Sequence, residues 1–287
     1  MKGLAEKEGY SVSFERGSLG CQNIVVGDPL SAQVVYTAHY DTCPVLPMPN
    51  FITPKNMLIY FLYQIFMVAV LVFIPAAAVT VLADLVLPLL SIGEDTAYII
   101  GKVSSLCVIF AAMMLIMAGP ANKHTANDNT SGVMTLISIM KRLPEQQRSK
   151  AAFIFFDLEE VGLVGSSSYA AAHKADMKRK LLINFDCVSD GRHFIFALCK
   201  GARGHRELLS EVFLGNEKYT VEIPKRSIFY PSDQAAFPMG VGVAAMNRTR
   251  RLGILYMDKI HTPKDTVYDP DNIEFLSEAA VRLVEKM

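Results

Sequence analysis

The stretch "FIFFDLEEVGLVGS", residues 153–166, ends an apolar run in Asp157, Glu159 and Glu160. Ionised carboxylates beside a core are costly unless paired, hydrogen-bonded or bound to a cation. Four other segments present similar residue types. "AHYDT" offers His39 and Asp41 at a spacing of two, on one face of a strand. "NDNTSG" carries Asp128 just ahead of a helical stretch, Asp186 ends the apolar "LLINF", and "IHTPKDT" adds His261. Each has an ordinary reading alone: Asp128 and its neighbours could cap the following helix, and a lone histidine is commonly a hydrogen-bonded structural residue. Together they supply what a two-metal hydrolytic centre requires. That is a bridging carboxylate, terminal His and Asp or Glu ligands, room for a water, and a carboxylate base off the metal. Asp41 is left to orient an imidazole, and Asp157 reads as structural.

These residues need a frame that brings chain ends together. The segments 33–40, 151–157, 181–186, 193–199 and 241–246 read as strands, several apolar enough to be buried on both faces. The segments 131–143, 165–175 and 204–214 have helical spacing. A last helix opens with Asp271 as N-cap and Glu274 three residues on, followed by apolar Ile273, Leu276, Ala280 and Leu283. The alternation predicts an α/β three-layer sandwich with a mostly parallel or mixed central sheet and ligands at the carboxyl ends of the strands.

One segment does not belong to that frame. Met57 to Ala83 is 27 residues without a charge, and a second apolar run spans 98–119 with Lys102 near one end. About 20 apolar residues suffice to cross a bilayer. The two runs, joined by the acidic 84–97, predict a transmembrane helical hairpin inserted as residues 51–119 between the parts of a discontinuous domain, 1–50 and 120–287. Lys55 and Lys123 flank the hairpin while its connecting loop has no Lys or Arg, which places the main domain in the cytoplasm. Five scattered cysteines without a C-x-x-C pair fit reduced thiols. The chain carries 28 basic and 28 acidic residues, a balance that gives no reason to expect nucleic acid. The polar N-terminal stretch shows no secretory signal.

The ordered set H-x-D, D-N-x-S-G, E-E-x-G-x-x-G-S, a strand-terminal Asp and H-T-x-x-D resembles the co-catalytic zinc aminopeptidases of peptidase family M28. The resemblance runs from His39 to Thr266. It implies two zinc ions: Asp128 as bridge, His39 and Asp186 on one ion, Glu160 and His261 on the other. It also implies Glu159 as general base, Asp41 steering His39, and a cis peptide between Asp128 and Asn129. The expected activity is that of a membrane-anchored di-zinc metallopeptidase, an aminopeptidase acting on peptides with a free N-terminus, with the bilayer as the partner of residues 57–119. Tyr230, Asp233 and Phe237 stand where such enzymes place substrate-pocket residues. Two departures stand out. His39 and Asp128 are 89 positions apart because the hairpin intervenes. The chain also starts almost at its first strands, so either it is a piece or the hairpin replaces the usual leading helix. Two other readings compete: a non-catalytic membrane adaptor with a peptidase-like shell, and a single-zinc glutaminyl cyclase-like acyltransferase.

Overall fold

The apolar segments become strands whose side chains alternate between two cores. The structure, a computed structural model, describes residues 2–226 and 228–287. Among these the strands are β1 (Val12–Arg16), β2 (Gln22–Val26), β3 (Val34–His39), β4 (Ala151–Phe156), β5 (Leu181–Phe185), β6 (His193–Leu198), β7 (Thr220–Glu222), β8 (Gly240–Arg248) and β9 (Leu255–Tyr256). They form one mixed sheet in the order β1-β2-β4-β3-β5-β8-β6-β7, with β9 added beside β8. The central run β4-β3-β5-β8 is parallel. Antiparallel pairs join β2 to β4 and β6 to β8.

Every residue of β3, β4 and β5 is buried. Val34, Tyr36, Ala151, Phe153 and Phe155 point into one core, and Val35, Ala152, Ile154 and Phe156 into the other. This is period-two alternation with apolar residues on both faces, as a parallel sheet covered on both sides demands.

Nine helices flank or leave the sheet among the described residues: α1 (Lys2–Lys7), α2 (Met57–Val68), α3 (Ile74–Val86), α4 (Glu94–Ala118), α5 (Gly132–Arg142), α6 (Val164–Ala172), α7 (Lys174–Met177), α8 (Arg206–Val212) and α9 (Pro270–Lys286). Leu136, Ile139 and Met140 of α5 and Ile273, Leu276, Ala280 and Leu283 of α9 enter the first core. Tyr169 of α6 and Met177 of α7 enter the second. Tyr36 fastens the sheet to α9 by donating its hydroxyl to Ala280 O at 2.7 Å. The start of α9 corrects the sequence reading. Asp269 is the N-cap, accepting from Asp271 N at 3.0 Å, and Pro270 takes the first turn, where a missing N–H costs nothing. Asp271 instead pairs with Lys218.

Helices α2 and α3 run on through a wider π turn, Ala69–Phe73, placed just before Pro75. Pro75 has no N–H to close a helical bond and its ring crowds the preceding turn, so a local widening is the expected response. With a closing 3₁₀ turn the first apolar helix extends over Met57–Leu90, and α4 forms the second. Both are long and apolar enough to cross a membrane. The connector is shorter than 84–97: helix continues through Val86, and α4 starts at Glu94 with Glu94 and Asp95 in its first turn. Apolar Leu85 and Val86 prolong the first helix, and acidic residues suit a helix N-terminus.

Candidate active site

The three adjacent parallel strands β4, β3 and β5 deliver their carboxyl ends side by side. His39 is the last residue of β3, Glu159 and Glu160 follow β4, and Asp186 follows β5. Asp128 comes from the turn before α5, and His261 from the loop after β9. All five expected ligands meet here. His39 Nε2 lies 3.2 Å from Asp128 Oδ1 and 3.5 Å from Asp186 Oδ1. His261 Nε2 lies 3.3 Å from Asp128 Oδ2 and 3.2 Å from Glu160 Oε2. Asp128 thus turns one oxygen to each imidazole.

An imidazole nitrogen carries at most one proton, so each Nε2 can satisfy only one of the two oxygens it faces. Asp186 Oδ1 and Glu160 Oε1 are buried without a hydrogen-bond partner. Burial of that kind calls for a cation. Ligand atoms 2.0–2.1 Å from a tetrahedral zinc stand about 3.3 Å apart, the spacing found here. The nitrogen and oxygen donors therefore fit zinc.

The electrostatics of the metal-free cluster say the same. Burial pushes Glu159 well above the ordinary carboxylate range, against the pull of His39, and negative Asp186, Asp233 and Glu160 add to the rise. Burial would lower His39, but Glu159, Asp128, Asp186 and Asp41 hold it well above its usual value. Burial would also raise Asp128, yet the bonds from His261 and His39 outweigh it and keep Asp128 low. The site has more negative groups than it can stabilise without added positive charge.

Supporting groups fix the ligands. Asp41 Oδ1 stands 3.3 Å from His39 Nδ1 and accepts Glu159 N at 3.1 Å, while its Oδ2 accepts Glu160 N at 3.1 Å. One carboxylate thereby ties the end of β3 to the loop after β4. Asp265 accepts the N–H groups of Asn127 and Asp128. Asn129 Oδ1 accepts Gly132 N and Cys187 N, and its amide donates to Phe185 O, linking the Asp128 turn to the end of β5. The Asp128–Asn129 peptide is cis. The sequence reading assigned no job to Asp265, Asn127 or Asn129, although D-N-x-S-G and H-T-x-x-D contain two of them. Asp157 is structural, accepting Gln22 N at 2.8 Å and Leu158 N at 3.0 Å.

The backbone around the site occupies costly conformations. Leu158, Cys187 and His261 hold positive φ values of 53°, 56° and 64°. Side chains with a Cβ seldom adopt this region, and such positions gather at functional sites. Gly165 is required for packing, because a Cβ there would fall 2.2 Å from Asp157 O.

The three expected pocket residues are all buried. Phe237 is 1% exposed and stacks on Phe156 at 5.8 Å in the second core. Tyr230 is 5% exposed and donates to Asp186 O at 3.2 Å, and Asp233 is fully buried. Tyr230 braces the segment that carries Asp186, and Asp233 adds negative charge beneath the site. Burial pushes Asp233 up to about 7, with Asp186 and Asp41 raising it against the pull of His39.

Comparison with known proteins gives a family and a fold. The model of peptidase family M28 matches residues 112–284, more than half of the chain. The match begins beyond His39 and Asp41, which the hairpin separates from the other ligands. Among solved structures, a Zn-dependent exopeptidase from Parabacteroides distasonis superposes with a TM-score of 0.57 at 15% identity, covering 99% of this chain and 87% of that one. The glutaminyl cyclase of Porphyromonas gingivalis gives 0.55 at 14% identity, with 99% and 86% covered. The LapA aminopeptidase of Legionella pneumophila gives 0.56 at 13% identity, with 99% and 61% covered. At these identities the likeness is one of fold. No curated protein matches by sequence.

Proposed function

The chain belongs to peptidase family M28, and from that premise we propose that it is a membrane-anchored di-zinc aminopeptidase. The observation that carries this reading is Asp128, whose two oxygens face two different imidazoles. His39, Asp128 and Asp186 would hold one zinc, and Asp128, Glu160 and His261 the other. Zinc in such a place supplies a Lewis acid for the scissile carbonyl and lowers the pKa of a water.

The chain's own residues do the rest. Glu159 accepts the attacking water's proton on a carboxylate oxygen and delivers it to the departing amine nitrogen. Asp41 holds the Glu159 and Glu160 backbone and orients His39, so base and ligands keep a fixed relation.

Membrane anchoring rests on the hairpin. Leu58, Leu62, Ile65, Leu82, Leu106 and Phe110 all expose more than half their surface, unlike core helices of a soluble domain. Lys55 and Arg248 line the same cleft at the entry of the first helix, and exposed Arg250 and Arg251 follow in the β8–β9 turn. Basic residues on this side, against a far turn without Lys or Arg, support a cytoplasmic domain.

The test uses the full chain in detergent, loaded with zinc. Release of N-terminal residues from aminoacyl and dipeptidyl substrates at a stoichiometry near two zinc ions supports the proposal. Ammonia release and ring closure on N-terminal glutaminyl peptides, with one zinc, makes it a cyclase. Neither zinc nor turnover leaves the adaptor reading. Protease digestion of sealed vesicles with the domain inside the lumen overturns the orientation.

A further inference from the structure

Two residues beyond Asp41 stands Cys43, continuing the spacing His39, Asp41, Cys43 past the end of β3. Its Sγ, a Glu160 oxygen and a His261 ring nitrogen all lie within 4.8 Å of one another. Cys43 is 1% exposed. A buried structural cysteine ordinarily behaves as a small hydrophobe among apolar neighbours. Cys187 packs with Ile195, Ala244 and Met257 in an apolar cluster, although its thiol also borders Asp186. Cys43 belongs to none of the apolar clusters and faces a carboxylate and an imidazole instead.

Its place is fixed from both sides. Cys43 O accepts Asn122 N at 2.8 Å, and Val45 N donates to Pro120 O at 2.8 Å, where the chain returns from the hairpin. Leu46 N donates to His261 O at 2.8 Å. The backbone around Cys43 is therefore tied to the loop that carries His261. A second observation points to a ligand at the same spot. The Glu160 side chain is 6% exposed, and its Oε1 is buried without a partner.

We propose that Cys43 is a metal ligand, its sulfur joining Glu160, His261 and Asp128 Oδ2 as the fourth protein donor to the second ion. This rests on the metallopeptidase reading and extends it. The sulfur–metal bond forms as the thiol proton is lost to solvent. Four protein donors make this half of the centre a closed site, whereas His39, Asp128 and Asp186 offer three and leave a position for a non-protein ligand. A sulfur in the set favours zinc over magnesium or manganese. It also makes the second ion sensitive to thiol oxidation, a sensitivity that nitrogen and oxygen ligands alone would not bring.

Zinc X-ray absorption on the full-length protein in detergent, with metal stoichiometry measured on the same sample, tests this. The expected result is one sulfur per two zinc ions at about 2.3 Å. The shell persists in a protein whose Cys21, Cys107, Cys187 and Cys199 are all serine, so that Cys43 is its only thiol. It disappears in Cys43→Ser, which also binds its second zinc at least about tenfold more weakly, as loss of even a supporting partner would cause. The cobalt-loaded protein shows a sulfur-to-metal charge-transfer band with the same dependence. Bound zinc without sulfur in the wild-type protein overturns the Cys43 assignment while leaving the peptidase reading intact. So does a shell that is lost in the single-thiol protein. A wild-type protein that binds no zinc removes both.

Discussion

Asp265 grips the backbone of Asp128, accepting its N–H at 2.9 Å on one oxygen while the other accepts the Asn127 N–H at 2.8 Å. Both bonds are buried, and together they set the angle at which Asp128 presents its oxygens to His39 and His261. Asp265→Asn can accept only one of the two N–H groups and turns an NH₂ against the other. A buried donor left without a partner costs about 1–3 kcal/mol. Zinc affinity, measured by chelator competition, should fall about 10–100-fold, as loss of a supporting partner does elsewhere. Unchanged affinity would mean that Asp265 serves folding and not the ligand geometry.

Glu159 and Glu160 are neighbours with different surroundings. Glu160 Oε2 faces His261 at 3.2 Å, whereas Glu159 is enclosed near His39 with Asp186 and Asp233 around it. Glu159→Gln should cut kcat about 10²–10⁴-fold with zinc content intact, the range that a general base contributes. Glu160→Gln should lose zinc first and activity with it. Metal analysis beside a turnover assay separates the two, and the reverse pattern would exchange their roles.

Asp233 gives a dependence on pH with a definite sign. Its folded value of about 7 lies above the ordinary 3.8, so the folded chain binds this proton more tightly than the unfolded one. The stability of metal-free protein therefore falls as pH rises from about 4 to about 7 and loses no more through this group above that. The full effect is at most about 4 kcal/mol. Asp233→Asn should flatten that part of the slope and raise the unfolding midpoint of chelator-treated protein at pH 8 relative to pH 5. Bound zinc offsets the same burden with positive charge, so the variant should gain less when loaded.

The sequence made visible what depends on residue type. Strands β3, β4 and β5 are apolar on both faces, and a continuous apolar run survives only in a buried place. Short β1, with its exposed polar residues, and the two-residue β9 carry no such signal and went unread. The five residues at the strand ends could be grouped because carboxylates and imidazoles beside apolar runs are unusual. Asp265 and Asn127 escaped because they act on backbone N–H groups, which leave no trace in the choice of neighbouring residues. The packing of Tyr230 against the Asp186 segment and of Phe237 on Phe156 is not legible in the sequence, because an aromatic near a site reads the same whether it faces substrate or core. The hairpin connector is shorter than its acidic residues suggest, because Glu94 and Asp95 belong to the first turn of α4, where a helix favours negative charge.

The hairpin helices come close together at Gly101, where a Cβ would stand 3.2 Å from Ala83 Cβ and 3.4 Å from Thr80 O. Within a bilayer, apolar side chains gain nothing by leaving lipid for each other, so close backbone packing at small residues carries the association. Gly101→Leu cannot be seated without moving α4 away from α3, an overpacking that costs about 1–3 kcal/mol. The thermal midpoint of the detergent-solubilised protein should drop and the 91–93 turn should become easier to cleave, with zinc content per folded molecule unchanged. Gly101→Ala should show a smaller loss in the same direction. Equal stability of Gly101→Leu and wild type would mean that the two helices do not pack through this contact.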